Sequence, residues 1–214
     1  FKLILWDFDG VIIDSNEIRE YGFNQVLKKY STKQKQDLIS FHRLNGGLSR
    51  YVKFRYFFEE ILKKPISENQ VNVLANQFSL IMRERLVDTS LIISETIKYI
   101  EELFNLKKEM HIVSGSDNNE LIELCSKINV DKYFKTINGS PTPKNELVSR
   151  IITRNNLKLS DVCLIGDAVN DFDAAKINGI TFFGYNNTKL KNLDQYLVLN
   201  NLNKWKKIIK CNHN

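Results

Sequence analysis

The sequence contains few cysteines and histidines, and they are widely separated. There are three of each among 214 residues: Cys125, Cys163 and Cys211, and His42, His111 and His213. No two cysteines have the CxxC spacing of a zinc site or redox motif, and three scattered cysteines do not form a disulfide framework. We therefore expect neither zinc nor disulfides, and this cysteine usage is typical of a protein of the reducing cytoplasm.

The sequence also lacks a long apolar run and a strong excess of one charge. No run of roughly 18 apolar residues is present, so we expect no membrane-spanning helix. The first residues have neither the basic start nor the long apolar segment of a signal peptide. The 31 basic and 25 acidic residues give a net charge of +6, but the two signs alternate, as in Arg83-Glu84-Arg85. We expect a solvated surface and no nucleic-acid partner, with a mild positive field that favours an anionic small molecule.

The periodicity of the sequence changes after its first strand. Lys2–Trp6 is a short apolar run that predicts a buried strand. Residues 16–88 have a helical pattern, with apolar faces over Ile18–Tyr30, Tyr51–Leu62 and Val71–Met82. From residue 89 onward, predicted helices and strands alternate. The later predicted strands are Met110–Val113, Tyr133–Ile137, Val162–Ile165 and Ile180–Phe183, and the helices are Ser94–Phe104, one from Asp117, Lys144–Asn155 and Asp171–Ile177.

This alternation predicts an α/β fold with a parallel sheet and right-handed crossovers. The first strand belongs to that sheet because its residues are continuously apolar, as in strands buried on both faces. We therefore expect a core of residues 1–15 and 89–214, interrupted after its first strand by a helical insert of residues 16–88. From Thr188 the chain is rich in Asn, Lys and Leu, and we predict a loose final helix without chemistry.

Polar residues follow the predicted strands at the edge where ligands of parallel sheets bind. Asp7 and Asp9 follow the first strand, Ser114 the second, and Asp167 the fourth. Asp7 and Asp167 can share a hard divalent cation, and few carboxylates with open positions suit Mg²⁺. Asp7 is then the predicted nucleophile that forms an aspartyl-phosphate. Asp9 is the predicted general acid and base.

A phosphate group needs several donors around it, and the same edge supplies them. Ser114 and the backbone amides near Gly115 can bind phosphate oxygens. Lys144, which opens a predicted helix, can contact both Asp7 and a phosphate. Gly10 permits the turn after the first strand. The predicted phosphate-binding residues are thus Gly10, Ser114, Gly115 and Lys144.

These motifs resemble those of haloacid dehalogenase-superfamily phosphatases. The DxDG[TV] motif of that family stands here as Asp7–Val11, its GDxxxD motif as Gly166–Asp171, and its Ser and Lys motifs as Ser114 and Lys144. The resemblance implies a Rossmann-like parallel-sheet core with an α-helical C1 cap (residues 16–88) inserted after the first strand. It also implies metal ligands at the side chains of Asp7 and Asp167 and at the backbone carbonyl of Asp9. Asp171 would be either a further metal ligand or a residue that supports the ligands.

A glycine pair in the cap separates two predicted helices. Gly46 and Gly47 interrupt the helical pattern, and Ser49 can cap the helix that follows. In relatives with such caps, this loop lies over the active site and contacts the substrate. The resemblance implies that Gly46, Gly47 and Arg50 bind substrate, with Arg50 clamping a distal anionic group. The alternative is a solvated basic helix face.

Four further polar residues flank the motifs. Asp14 and Ser15 either cap the first cap helix or belong to a hinge. Ser116 and Asp117 are predicted to cap the helix that follows them rather than to contact substrate.

The expected function is that of a Mg²⁺-dependent phosphatase acting on a small cytosolic phosphomonoester, phosphoglycolate- or sugar-phosphate-like and anionic in its leaving group. Asp9 argues against dehalogenation, since true dehalogenases lack an acid at this position. A β-phosphoglucomutase-like phosphomutase is the alternative, although the first cap helix lacks the histidine of those mutases and has Arg19 nearby. A non-catalytic binding module is a further alternative. The sequence does not indicate an oligomeric state.

Overall fold

Five parallel strands form a single sheet in the computed structural model, which describes residues 1–185, 187 and 190. In chain order the strands are β1 (Leu3–Trp6), β2 (Glu109–Asp117), β3 (Thr136–Ser140), β4 (Val162–Gly166) and β5 (Thr181–Gly184). Their spatial order is β3-β2-β1-β4-β5, and each neighbouring pair is parallel. The predicted α/β fold with a parallel sheet is confirmed.

The first strand lies at the centre of the sheet because its residues are apolar on both faces. Leu3 is in register with Glu109 of β2 and Val162 of β4, and all four residues of β1 are fully buried. Asp7, the next residue, therefore lies at the middle of the sheet edge. This position directs the first motif toward the ends of both neighbouring strands.

Eight α-helices surround or cover the sheet in the part of the chain that the structure describes. Those of the insert are α1 (Asn16–Val26), α2 (Thr32–Leu44), α3 (Arg50–Tyr56), which continues as a π-helix over Phe57–Ile61, and α4 (Glu68–Arg85). Those between the strands are α5 (Ser94–Asn105), α6 (Asn118–Lys127), α7 (Lys144–Asn155) and α8 (Val169–Ile177). None of the described helices combines the length and apolar character that crossing a bilayer requires.

The insert has an apolar core of its own, built from the predicted helix faces. The rings of Phe23 and Phe78 are 4.5 Å apart between centroids, and Phe54 is 5.5 Å from Phe23. These three side chains are nearly fully buried. Burial of such aromatic area is the main source of stability for a small helical unit. We propose the division into a core of residues 1–15 and 89–214 and a cap of residues 16–88.

Two backbone segments join the cap to the core and run side by side. The backbone N–H of Asp14 donates to Leu91 O at 2.8 Å, and that of Ile93 donates to Ile12 O at 2.9 Å. The two chain crossings are thus hydrogen-bonded to each other. This pairing supports the hinge interpretation of the segment that contains Asp14.

Two strands differ by more than one residue from their predicted ranges. β2 continues past Val113 to Asp117, with an irregular register against β3, so Ser114 lies within the strand and not after it. The predicted strand Tyr133–Ile137 is shifted, because Asp131–Tyr133 forms a 3₁₀ turn and pairing begins at Thr136. The predicted final helix from Thr188 lies outside the described residues.

Candidate active site

The ends of three neighbouring strands meet at one cavity. β1 leads into Asp7, the end of β2 contains Ser114, and β4 leads into Asp167. Since β1 lies between β2 and β4, these residues share one edge of the sheet. The cavity measures about 40 Å³, enough for a few water molecules. Its lining includes Asp7, Asp9, Ser114, Gly115, Ser116 and Asp167 from the core, and Gly46, Gly47, Arg19 and Arg50 from the cap.

Three carboxylates form a cluster at this edge. Oxygen atoms of Asp7, Asp167 and Asp171 all lie within 4.8 Å of one another. Lys144 pairs with Asp7 at 2.8 Å between Nζ and Oδ1, and it also contacts Asp171 Oδ1. Gly10 makes room for this arrangement: its φ is +75°, and a Cβ there would overlap the Asp167 carboxylate.

The charge of the cluster fits a divalent cation. Three carboxylates and one ammonium leave two negative charges without a described cationic partner, within a largely buried space. Carboxylate oxygens are hard ligands, and Mg²⁺ binds such sites through one or two carboxylates, waters and substrate phosphate. Asp7, Asp167 and Asp171 could therefore hold such an ion.

The protonation of the cluster reflects this unbalanced charge. Burial, together with the charge of Asp171, raises the pKa of Asp7 to about 7, although Lys144 opposes the shift. Burial and the charge of Asp7 likewise raise the pKa of Asp167 well above its usual range. The pKa of Lys144 is also raised: burial opposes this, but the carboxylates of Asp171 and Asp7 outweigh it. A bound cation would reverse the shifts of the acids.

Asp9 lies in a different environment from Asp7. Its Oδ1 accepts hydrogen bonds from Arg19 Nε at 3.0 Å and from the Ser15 hydroxyl. Its Oδ2 accepts from Ser116 Oγ at 2.6 Å and from Arg19 Nη2 at 3.2 Å. Burial opposes ionisation, but the charge of Arg19 and these donors lower the pKa of Asp9 to about 2. Asp9 is therefore an ionised carboxylate in this arrangement.

The hydroxyl groups of Ser116 and Ser15 bind Asp9 and do not cap helices. Asp117 does cap α6, since its Oδ1 accepts from the backbone N–H of Asn119 and of Glu120 at 3.1 Å. The Ser116 hydroxyl instead donates to Asp9, so the prediction that Ser116 caps the helix is wrong. Ser15 occupies the N-cap position of α1 without a side-chain capping bond, and its hydroxyl also donates to Asp9.

The Ser114 side chain is buried beside the cavity. Its Oγ accepts a hydrogen bond from Ser116 N–H at 3.1 Å, which fixes the turn of backbone at the end of β2. Next to it, Gly115 lies directly against the cap, because a Cβ at this position would overlap the backbone carbonyl oxygen of Gly47. The absence of a side chain at Gly115 thus allows the cap loop to reach the strand end.

The glycine pair of the cap lies over the sheet edge. α2 ends at Leu44, and Ser49 caps α3 by accepting from Val52 N–H at 3.4 Å, as predicted. Lys53 Nζ donates to the carbonyl oxygen of Gly46 at 2.8 Å and holds the loop from the cap side. Both Gly46 and Gly47 line the cavity.

The guanidinium of Arg50 faces a carboxylate of the core. It donates to both oxygens of Glu120, at 2.6 and 2.7 Å, and to Ser79 Oγ at 2.6 Å. Arg50 lines the cavity but is only 4% exposed. The structure therefore does not present Arg50 as a free anion clamp, and its contact with a substrate stays a prediction.

Sequence reasoning did not identify Arg19 and Glu120 as parts of the site. Arg19 is 5% exposed and joins Asp9 to Glu120, with 2.8 Å from Nη1 to Oε1. The sequences of α1 and α6 carry a weak signal that these two residues are buried. Arg19 follows Ser15 by one turn and shares a face with Phe23, and Glu120 shares a face with Leu124, so both charges lie on buried faces.

Comparisons with known proteins agree with this geometry. Residues 4–185 match the family described as haloacid dehalogenase-like hydrolase. The phosphorylated carbohydrates phosphatase of Thermotoga maritima is 21% identical over 186 residues, which are 84% of this chain and 82% of that protein.

Solved structures share the fold along nearly the whole chain. A predicted phosphatase from Clostridium acetobutylicum has a TM-score of 0.78 at 18% identity and covers 98% of both chains. A β-phosphoglucomutase from Clostridium difficile has a TM-score of 0.76 at 19% identity, over 98% of this chain and 96% of that one. The family match covers most of the sequence and every motif of the site. The chain is therefore an enzyme that belongs to the haloacid dehalogenase-like hydrolases.

Proposed function

We propose that the enzyme is a Mg²⁺-dependent phosphatase that hydrolyses a small cytosolic phosphomonoester through an aspartyl-phosphate. One observation carries this proposal: Asp7 and Asp9, two residues apart, lie in opposite electrostatic environments. Asp7 lies with Lys144 and two further carboxylates in a cluster that suits a cation. Asp9 faces away from it, held by Arg19 and two hydroxyl groups. A nucleophile and a proton carrier need such a division of roles.

The residues of the cluster would hold the phosphate and the cation together. Asp7, Asp167, Asp171 and the backbone carbonyl of Asp9 are the proposed metal ligands. When bound, Mg²⁺ would neutralise carboxylate and phosphate charges. Ser114, the amides beside Gly10 and Gly115, and Lys144 are the proposed phosphate-binding groups.

In the first step, a carboxylate oxygen of Asp7 attacks phosphorus, and the bond from phosphorus to the leaving oxygen breaks. The leaving oxygen takes a proton from Asp9. Asp9 is ionised in this arrangement and must first gain that proton. The approach of a doubly negative phosphate group raises the pKa of Asp9 and so favours its protonated form.

In the second step, a water molecule attacks phosphorus of the acyl-phosphate while Asp9 accepts its proton. The bond between phosphorus and Asp7 breaks, which releases inorganic phosphate and restores the Asp7 carboxylate. The ionised state of Asp9 suits this step directly. Arg19, Ser15 and Ser116 would keep the Asp9 carboxylate aimed at the cavity.

The names of relatives support a phosphorylated small molecule as substrate. One is a phosphorylated carbohydrates phosphatase, and one is a β-phosphoglucomutase. We propose a phosphoglycolate- or sugar-phosphate-like ester. A phosphomutase is the second candidate, since the mutase shares the fold at a TM-score of 0.76. It would transfer the phosphoryl group from Asp7 to a sugar oxygen instead of water.

Phosphate release from a panel of phosphomonoesters, with Mg²⁺ and with EDTA, tests this proposal. We expect release that requires Mg²⁺ and is abolished by Asp7→Asn. The matched control is Asp173→Asn, the same chemical change at an exposed position of α8, which should retain activity within about twofold. Isomerisation of a sugar phosphate without net release would favour the mutase, and neither activity would favour a binding module.

A further inference from the structure

A buried chain of ion pairs crosses from the core to the cap beside the cavity. It runs from Asp9 to Arg19, from Arg19 to Glu120, and from Glu120 to Arg50. Glu120 is fully buried, and the two arginine side chains are at most 6% exposed. We call these four residues the arginine–carboxylate network.

The network lies where the leaving group of a phosphomonoester would be. Asp9 is the proposed proton donor to the leaving oxygen, so that oxygen must approach Asp9. Arg19 and Arg50 line the same cavity, together with Phe23, Leu48 and Phe78. The groups that would meet a leaving group are thus the two arginines, the amide of Asn16 and these apolar side chains.

The positive charge of these arginines is already matched within the protein. Two guanidinium groups face two carboxylates, so the network has no net charge while Asp9 is ionised. Arg19 uses four of its five N–H groups on Asp9, Ser116 and Glu120. The two arginines also hold the pKa of Glu120 below its usual range despite burial, which keeps this carboxylate ionised.

Other contacts hold Arg50 in place on Glu120. Its guanidinium lies 4.6 Å from the centroid of Phe78, and Ser79 accepts one of its hydrogen bonds. Lys53 of the cap donates instead to the carbonyl oxygen of Gly46 and does not line the described part of the cavity, and burial lowers its pKa to about 7. A second anionic group on a substrate would therefore have to displace Glu120, or be buried beside it without a counter-charge.

We propose that Glu120 is a specificity-determining residue, which binds the guanidinium groups of both Arg19 and Arg50 and so selects phosphomonoesters whose leaving group is uncharged. This inference rests on the proposed phosphatase function. Of the two proposed substrate types it keeps the sugar-phosphate-like ester and excludes the phosphoglycolate-like one, because Arg50, which was expected to bind an anionic leaving group, is paired within the protein.

Matched substrate pairs that differ by one carboxylate test the inference. The pairs are 2-hydroxyethyl phosphate with phosphoglycolate, glycerol 3-phosphate with 3-phosphoglycerate, and glucitol 6-phosphate with 6-phosphogluconate. Within each pair a CH₂OH group becomes a carboxylate. For each protein the readout is the ratio of kcat/KM, uncharged over charged, and the same ratio of affinities is measured in an Asp7→Asn background.

Three variants change the charge of the network in both directions. Glu120→Gln adds one positive charge, and we expect the ratio to fall at least about tenfold. Arg50→Gln adds one negative charge, and the ratio should rise. The double variant restores neutrality and should return the ratio toward that of the wild type. A merely structural role would not move the ratio in opposite directions, and Arg50→Gln keeps the test valid if Glu120→Gln does not fold.

The control is Glu123→Gln on the same helix. Glu123 pairs with Arg83 of the cap at 2.8 Å, but it is half-exposed and does not line the described part of the cavity. Its ratio should match the wild type. Mg²⁺-dependent release with ratios that do not respond to charge at residue 120 would overturn the inference and leave the phosphatase standing. No release from any ester, with p-nitrophenyl phosphate included, would overturn the phosphatase itself.

Discussion

Two aspartates of one short turn differ in their chemistry because their side chains face opposite neighbours. Asp7 faces acids and has a pKa raised by burial to about 7, whereas Asp9 faces Arg19 and has a pKa of about 2. Because both residues are aspartates, the residue type alone does not predict this difference in pKa. The donors that select the role of Asp9 include Arg19 of α1, which belongs to the cap, and Ser116 of β2, which belongs to the core.

Arg19 is therefore expected to position Asp9, and Arg19→Lys tests this at the level of one residue. A single ammonium cannot hold both oxygens of Asp9 while it also reaches Glu120. We expect kcat to fall at least about tenfold, which corresponds to about 1.4 kcal/mol, with a smaller change in KM. Steady-state kinetics on the preferred ester measure it.

The control for this change is Arg43→Lys in the same cap. Arg43 forms an equally bidentate pair with Glu20, at 2.6 and 2.7 Å, but at the surface. Its kcat should stay within about twofold, since exposed ion pairs contribute little. An Arg19→Lys enzyme with wild-type kcat would show that Asp9 does not need this partner.

At the scale of elements, the contact between β2 and the loop of residues 45–49, which joins α2 to α3, depends on the absence of a side chain at Gly115. Gly115→Ala would place a methyl group on the Gly47 carbonyl oxygen, and backbone on both sides resists displacement. We expect the loop to be pushed from the sheet edge and kcat/KM to fall more than about tenfold. Kinetics with a parallel measurement of thermal stability would separate this loss from unfolding.

Gly46→Ala is the matched change on the other side of the same contact. A Cβ at Gly46 would lie 3.7 Å from Ala168 Cβ, an ordinary van der Waals distance. We expect kcat/KM within about threefold of the wild type. Equal losses in both variants would mean that any methyl group in this loop is harmful, and that close approach at Gly115 is not the cause.

The central elements could be predicted because their signals are local. β1 is continuously apolar, and α7 begins at Lys144 and ends at Asn155 as expected. α2 was not distinguished as a separate helix, since only Leu38, Ile39 and His42 are buried in a mostly polar segment. The end of β2 was misplaced because Ser114, Gly115 and Ser116 are poor strand formers. The strand continues through them as an irregular segment, and its register against β3 resumes only at Asp117.

Part of the site could likewise be predicted from the sequence, and part could not. Asp7, Ser114 and Asp167 come together by topology alone, because each lies near the end of a strand in one parallel sheet. The pairing of Arg19 with Glu120 joins residues 101 positions apart on two helices. Local periodicity shows that both charges face inward but does not name the partner, which depends on how the cap sits on the core.

At the scale of the whole molecule, this structure is a closed form. The cap contacts the core through Arg50 on Glu120, and the Tyr51 hydroxyl donates to Asp117 at 2.8 Å. The cavity of about 40 Å³ is too small for a sugar phosphate. Substrate entry therefore requires the cap to move, and closure would then exclude bulk water from the first step.

The acid cluster also affects the stability of the whole molecule. Since the pKa of Asp7 is raised from 3.8 to about 7, the folded protein without a cation binds more protons than the unfolded chain in that range. Its free energy of unfolding should therefore fall as the pH rises from about 4 to about 7. Mg²⁺ should remove this fall and raise the melting temperature by roughly 5–10 °C at saturation.

Asp167→Asn should make the protein more stable in EDTA and unresponsive to Mg²⁺. It removes one of three mutually repelling carboxylates and with it a metal ligand, so function and stability change in opposite directions. Thermal melts near about pH 5 and about pH 8, each with EDTA and with Mg²⁺, measure both effects. Asp173→Asn, exposed on α8, should behave as the wild type. If Asp167→Asn instead lowers stability in EDTA, Asp167 has a favourable partner in the folded state. If the variant is still stabilised by Mg²⁺ as the wild type is, Asp167 is not a ligand of the cation.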